Sequence, residues 1–198
     1  MSEDKRSSVP DDQKLVRRVL RGDREAFETI VRKYQQPMLN YVSRMVHERE
    51  MALDVSQEVF LRAYASLSSF RPEYKFSTWL FRIASNYLID HWRKKKVSTV
   101  SLDQPVDNDD DGCYLQVADE KASVVLDLEM KELRTRLEAA IESLPVHLRE
   151  LFVWRHVTGM SYEEMADIKK LPVGTVKNRV FQAKELMRKL LEEQPCPV

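Results

Sequence analysis

The chain has 198 residues, enough for one large or two small domains, and is 43% hydrophobic and 32% charged, so it can build cores and remain soluble. No apolar run approaches the ~20 residues that span a membrane, and the opening MSEDKRSSVPDDQK holds no apolar segment of the kind a signal peptide needs. The two cysteines, Cys113 and Cys196, show no zinc spacing and argue against a structural disulfide, so a reducing, cytoplasmic setting is expected.

Only 4 glycines and few alternating apolar runs favour an all-α fold. The formal net charge is zero, yet charge is unevenly placed. Residues 1–97 carry 19 Lys and Arg against 13 Asp and Glu, residues 98–126 carry 1 against 7, and residues 127–198 carry 12 against 12. A basic first part is therefore followed by an acidic connector.

Residues 1–10 predict a disordered tail. A first helix is expected over about 11–21, with Leu15, Val16, Val19 and Leu20 apolar and Gly22 as its stop. Asp23 can cap the next helix, which would bury Ala26, Phe27, Ile30, Val31 and Tyr34. Pro37 predicts a kink or break, after which Met38, Leu39, Val42, Met45 and Val46 continue the apolar face to about residue 47.

The most informative stretch is 54–96. In its first helix Ala52, Val55, Val59 and Ala63 recur at helical spacing, while Asp54, Gln57, Glu58 and Arg62 fall on the opposite side. A short break spans 68–75 around Pro72. The next helix carries Phe76, Trp79, Leu80, Ile83 and Tyr87 on one face, and Phe81, Leu88 and Trp92 widen that face beyond what a surface helix needs. Its polar remainder is a strip of Thr78, Arg82, Ser85, Asn86 and Arg93, running into the cluster Arg93-Lys94-Lys95-Lys96. Apolar residues at this spacing are ordinarily core, and a basic run is ordinarily a solvated helix end that complements the dipole. Rings together with cations also suit nucleic acid with unstacked bases. Residues 11–97 are thus expected to form one helical bundle.

Residues 98–126 are acidic, polar and interrupted by Pro105 and Gly112, which predicts a flexible linker. Asp107, Asp109, Asp111 and Gly112 mimic half of a calcium loop. Ala118 stands where the bidentate glutamate belongs, so no metal is expected.

The second domain is expected over 127–193. Met130, Leu133, Leu137, Ala140 and Leu144 form an amphipathic stripe ending at Pro145, and a helix follows over about 146–157 until Thr158-Gly159. Ser161 and Glu164 form a capping box for a short helix. After a turn at 169–171, a long helix runs from about 173 to 192. Short helix, turn and long helix suggest a helix-turn-helix. Val176, Val180, Ala183, Met187 and Leu190 share one face of the long helix, and Lys177, Asn178, Phe181, Gln182 and Lys189 share the other. An aromatic on that polar face, Phe181, points to a contact surface.

DVSQEVFLRAY and FSTWLFRIASNYLIDHWRKKK resemble the second conserved region of bacterial sigma factors of the extracytoplasmic-function group, in the sigma-70 family, and LPVGTVKNRVFQAKELM resembles the fourth. The turn position often taken by glycine is Lys170, whose left-handed conformation would cost about 1 kcal/mol. The resemblance covers 11–97 and 127–192, with no spacer-sized domain between and no long N-terminal extension. It implies two small helical domains, no enzymatic activity and no cofactor.

The partners implied are core RNA polymerase, promoter DNA and an anti-sigma factor, often membrane-tethered, that holds the domains together. Asp54, Gln57 and Glu58 match the face that docks on the clamp helices of the polymerase β′ subunit. The loop over 68–75, with Phe70 and Lys75, matches the one that captures a flipped base of the −10 element. Thr78, Trp79, Arg82, Asn86 and Arg93 match further −10 contacts. Thr175, Lys177, Asn178, Arg179, Phe181 and Gln182 match the helix that reads the −35 element, and the second domain resembles one that rests on the β flap.

Two other readings compete. A helix-turn-helix regulator would use 145–192 for duplex DNA and the first domain to sense or dimerise, which leaves the Asp54 face without a task. A metal-dependent nuclease built on Asp54, Glu58 and Asp90 lacks ligand spacing, because His47, His91, His147 and His156 do not cluster in sequence.

Overall fold

The computed structural model describes the backbone of residues 11–46, 48–98 and 124–193, and the side-chain surroundings of 11–46, 48–93 and 130–192. Residues 99–123 of the acidic linker, with its calcium-loop mimic, the terminal tail, His47 and the side chains of Lys94, Lys95 and Lys96 lie outside the described residues, whereas residue 98 and residues 124–126, expected in the linker, belong to helices. The described residues form eight α-helices and one 3₁₀ turn: α1 Asp12–Leu20, α2 Arg24–Met45, α3 Arg49–Ala65, the turn Leu67–Ser69, α4 Phe76–Ser98, α5 Val124–Ser143, α6 Val146–His156, α7 Tyr162–Lys169 and α8 Val173–Glu193.

The first unit packs α1, α3 and α4 against α2. Helix α1 starts where the Asp11 carboxylate accepts from Gln13 N, and Gly22, with φ of 97°, turns the chain into the Asp23 cap of α2. Leu15, Val16 and Val19 are buried as the periodicity predicts, but Leu20 is exposed: it points off the face that meets α2. The Tyr34 hydroxyl donates to Asp12 at 2.7 Å and Lys33 pairs with the same carboxylate, pinning α1 to α2. Burial, then the Asp12 carboxylate, push the Tyr34 phenol far above its usual range.

Of the kink or break expected at Pro37, the break is absent: helix α2 runs through it. A proline inside a helix removes one hydrogen bond and costs about 3 kcal/mol. Here Tyr34, Met38, Tyr41, Val42 and Met45 are all buried on both sides of it, and their burial holds the helix continuous. Each such side chain is worth about 1.5–3 kcal/mol.

In the second unit, α6 and α7 pack on α8 and α5 on α8. Trp154, wholly buried, lies in its core with Leu144, Leu151, Val153, Met165, Val176 and Ala183. The stripe expected on α5 divides. Ala140 and Leu144 are buried, together with Ile141, whereas Met130, Leu133 and Leu137 are exposed. Periodicity reports which face is apolar, not how far along the helix a neighbour reaches. Arg149, only 5% exposed, donates from its guanidinium to Leu144 O and to the carbonyl of Glu142, supplying partners to the carbonyls at the end of α5.

Helix α7 begins at a complete capping box. The Ser161 hydroxyl accepts from Glu164 N at 3.2 Å, and Glu164 accepts from Ser161 N at 2.7 Å. It ends at Lys170 with φ 54° and ψ 43°, the left-handed conformation that glycine favours, so the turn is kept in spite of the lysine. Lys170→Gly should therefore raise stability by up to about 1 kcal/mol, because the side-chain clash at positive φ disappears. Urea unfolding of the full chain measures it; a lower midpoint for the variant would show that the lysine is not strained.

Candidate functional site

Three surfaces carry the residues singled out by the sequence. On α3, Asp54 and Gln57 are exposed and Glu58 is half-buried. Glu58 pairs with Arg62 at 2.6 Å, one turn on. Arg62 also lies over the Tyr87 ring of α4, 4.5 Å from its centroid, so α4 fixes the orientation of this acidic face. Leu53 and Leu61, 39% and 66% exposed, flank the carboxylates. Neither leucine carries a polar signal, but Leu61 stands i+3 from Glu58 and i+4 from Gln57, a spacing that places it on the same face.

The second surface is the 68–75 loop and the α4 strip. Phe70 and Trp79 are buried, not presented. Phe70 meets Phe76 at 5.5 Å and Trp79 at 5.6 Å, and Phe76 meets Tyr34 at 5.5 Å between centroids. These rings are core that shapes the loop. Arg71, Pro72, Glu73, Tyr74 and Lys75 are exposed above them, and Gln13 donates to Pro72 O at 2.6 Å, tying the loop to α1. Along α4, Asn86 and Arg93 are exposed and Arg82 is half-buried, whereas Thr78 and Ser85 are buried.

What buries Thr78 and Ser85 is the second unit. Helices α7 and α4 are in contact, as are α6 and α5 with α2. Lys75 Nζ lies 2.9 Å from Glu164 Oε1, and the Thr78 hydroxyl donates to the same oxygen at 3.3 Å. Lys169 donates to the Ser85 hydroxyl at 2.9 Å, pairs with Glu150, and lies 5.1 Å from the Trp154 ring centroid. The Tyr41 hydroxyl of α2 donates to Glu150 Oε1 at 2.8 Å. Burial and the neighbouring Glu150 carboxylate hold the Tyr41 phenol protonated well above its usual range. None of Tyr41, Glu150 and Lys169 was singled out from sequence. The available signal was Glu150 itself, a charged residue sharing a helical face with Val153 and Trp154.

The third surface is α8. Val176, Val180, Ala183 and Met187 are buried, with Leu190 packed against them. Lys177, Asn178 and Gln182 are exposed, Phe181 is 60% exposed, and Thr175 and Arg179 lie half-buried at the margin. The Tyr162 ring sits 4.7 Å from Arg155 and 5.7 Å from the Lys177 ammonium, so the start of α7 steadies a cation on the α8 face.

Asp54, Glu58 and Asp90 do not meet, and no group of three or more His, Cys, Asp or Glu side chains that could hold a metal is found among the described residues. No helix among those residues is long and apolar enough to cross a membrane.

A short capped helix, a left-handed turn and a long helix with an exposed polar face define a helix-turn-helix DNA-binding protein. Comparison with known proteins narrows this class. The sigma-70 region 2 family matches residues 30–97 and the sigma-70 region 4 family matches residues 134–187. The RNA polymerase sigma-H factor of Pseudomonas aeruginosa is 36% identical over 185 residues, 91% of this chain and 94% of that protein. The ECF RNA polymerase sigma-E factor of Escherichia coli is 40% identical over 178 residues, 88% of this chain and 91% of that protein.

Among solved structures, CnrH in complex with the cytosolic domain of CnrY superposes with a TM-score of 0.67 at 22% identity, covering 94% of this chain and 100% of that one. The sigma factor RpoE from Bartonella quintana, solved with the anti-sigma factor NepR, gives 0.65 at 22% identity, covering 85% and 98%. Those two likenesses speak for the fold. The chain belongs to the sigma-70 family, in its extracytoplasmic-function group: a transcription initiation factor that binds core RNA polymerase and recognises promoter DNA.

Glu164 serves both the α7 cap and the contact with Lys75. Burial pushes its carboxyl up, but the Ser161 N–H and hydroxyl and the Lys75 ammonium outweigh this and hold it below the ordinary value of 4.5. A depressed folded pKa means that the stabilisation is present above 4.5 and is lost as pH falls through the folded value. Glu164→Gln, which keeps an acceptor for the cap but loses the charge, should cost about 0.3–1 kcal/mol at neutral pH, and the difference from wild type should shrink below pH 4.5. Urea unfolding across that range checks it; a constant difference would mean that ionised Glu164 contributes nothing.

Proposed function

We propose that the three surfaces divide promoter recognition between them. The α3 face of Asp54, Gln57 and Glu58, with Leu53 and Leu61 as apolar anchors, docks on the clamp helices of the polymerase β′ subunit. Its chemistry fits a protein partner: exposed leucines beside carboxylates give an apolar contact with a charged rim. The second unit rests on the β flap.

The loop over 68–75 and the α4 strip engage the non-template strand of the −10 element. Lys75, Arg82 and Arg93 meet phosphates, while Thr78 and Asn86 offer hydrogen bonds. Extruding a base costs a few kcal/mol, which a fitted pocket offsets. Phe70 and Trp79 support the loop from beneath in this assignment, because both rings are packed among Phe76 and Tyr34.

Helix α8 enters the major groove at the −35 element. Lysine suits guanine, asparagine and glutamine suit adenine, and an apolar ring suits a thymine methyl. The observation that carries this assignment is Phe181, a large ring 60% exposed among Lys177, Asn178 and Gln182. Thr175 and Arg179 stand at the margin of that face, where phosphate contact is the natural role. The setting is the bacterial cytoplasm, where core polymerase works, and an anti-sigma factor regulates the chain. The relatives solved with such partners support that last point.

The −35 assignment separates base readers from positioning residues. Gln182→Ala should cost about 1–3 kcal/mol at one base pair and relax the preference there. Lys189→Ala should weaken binding to every sequence alike and lower the salt slope by about one. Transcription from single-base variants of the −35 element, with salt titrations of DNA binding, tests both. Equal loss of activity by Gln182→Ala on every variant would place another register of α8 in the groove.

A further inference from the structure

Where α6 gives way to α7, one ring meets two cations. Tyr162, the first residue of α7, is half-buried and packs against the core of the second unit. The Ser161 cap just before it fixes its backbone. The Arg155 guanidinium of α6 lies 4.7 Å from the ring centroid and donates to Met160 O at 3.1 Å, in the turn between the two helices. The ring is therefore oriented by α6 and by its own cap before α8 contributes anything. The Lys177 ammonium of α8 then lies 5.7 Å from the same centroid, within reach of a cation–π attraction.

Lys177 has little else to hold it. Its side chain is exposed, and no ion pair of it is found among the described residues. The α8 carboxylates of Glu185 and Glu192 both pair with Arg188, further along the helix. A lysine is a point charge on a flexible four-carbon stem. Beside a polyanion such a cation is drawn to whichever phosphate is nearest, and a phosphate contact carries no sequence information. Reading a base edge requires the ammonium to be held at one reach from the helix.

We propose that Tyr162 is a positioning residue for sequence readout: its ring, braced by Arg155, holds the Lys177 ammonium in place and so turns a flexible cation into a reader of one base pair of the −35 element. The proposal rests on the −35 assignment of α8 above. Tyr162 acts through Lys177 and not by touching DNA. The ring face does the holding, so the hydroxyl is dispensable. Cation–π attraction strengthens as water is excluded, so the hold tightens when α8 enters the groove.

Two readouts test it, the first without DNA. In the full chain with carbon-13-labelled lysines, a ring beside the ammonium moves the Lys177 methylene resonance upfield; Lys177→Arg identifies the signal by removing it. Tyr162→Leu should return the signal to the position of an exposed lysine, and Tyr162→Phe should keep it upfield. The second readout uses the full chain bound to core RNA polymerase, with promoter duplexes that differ at single −35 base pairs. Lys177→Ala should lower the preference at one base pair by about tenfold. Tyr162→Leu should lower it at the same pair by about two- to fivefold, with the salt dependence unchanged because the charge remains. Tyr162→Phe should keep the preference, and Tyr162→Leu combined with Lys177→Ala should behave as Lys177→Ala alone.

A Lys177 signal at the exposed-lysine position in the unsubstituted chain, or one that ignores Tyr162→Leu, overturns the hold. Tyr162→Leu that weakens every promoter variant alike, or Tyr162→Phe that loses as much preference as Tyr162→Leu, overturns the positioning role in favour of a structural or hydroxyl-mediated one. Lys177→Ala that leaves every preference intact overturns the readout and the −35 assignment of Lys177 beneath it, even where the shifted signal shows the ring contact.

Discussion

A glutamate carboxylate taken out of water must find partners, and Glu150 finds them in two places at once. Lys169 comes from the next helix of its own unit, and the Tyr41 hydroxyl comes from α2, 109 residues away. Trp154 lies against both, 5.9 Å from the Tyr41 ring and 5.1 Å from the Lys169 ammonium. Because Tyr41 packs on Phe81 of its own unit and on Trp154 of the other, the site needs both units folded and aligned. The covering of Thr78 and Ser85 and the Lys75–Glu164 pair follow from that alignment.

The composition of α4 follows from a second constraint. Its Phe76, Trp79, Leu80, Phe81, Ala84 and Leu88 are all buried, more than one stripe of a helix ordinarily supplies. A helix buried that widely has little outward surface, so its functional groups crowd into one strip and the loop before it. The rings are the foundation of that loop: Phe70, at its start, is held by Phe76 and Trp79, at the start of the helix. Substituting them would therefore disturb the shape of that loop.

Much of this was legible in the residues. The Ser161–Glu164 capping box, the exposed Phe181 and the outward Asp54 and Gln57 all follow from local spacing, and local rules act wherever the chain folds. The misses share a different cause. Pro37 was read by its local cost, but distant burial of Met38 and Tyr41 outweighs one lost hydrogen bond. Met130, Leu133 and Leu137 were read as core from periodicity, which cannot say where the neighbouring helix ends. Phe70 matched a contact motif, and only the packed structure shows its ring turned inward, whereas the helical spacing of Trp79 already reads as core. Glu150 and Tyr41 could not be paired from sequence, since nothing local links residues so far apart.

The central claim is that this chain directs core polymerase to promoters through two separated DNA contacts. The most direct measurement is transcription by purified core RNA polymerase with and without the full chain on a library of genomic fragments, mapping the 5′ ends of the transcripts. The account predicts discrete chain-dependent start sites that share two sequence elements, one near −10 and one near −35. Start sites identical to those of core alone, or chain-dependent sites sharing no such pair of elements, would contradict it.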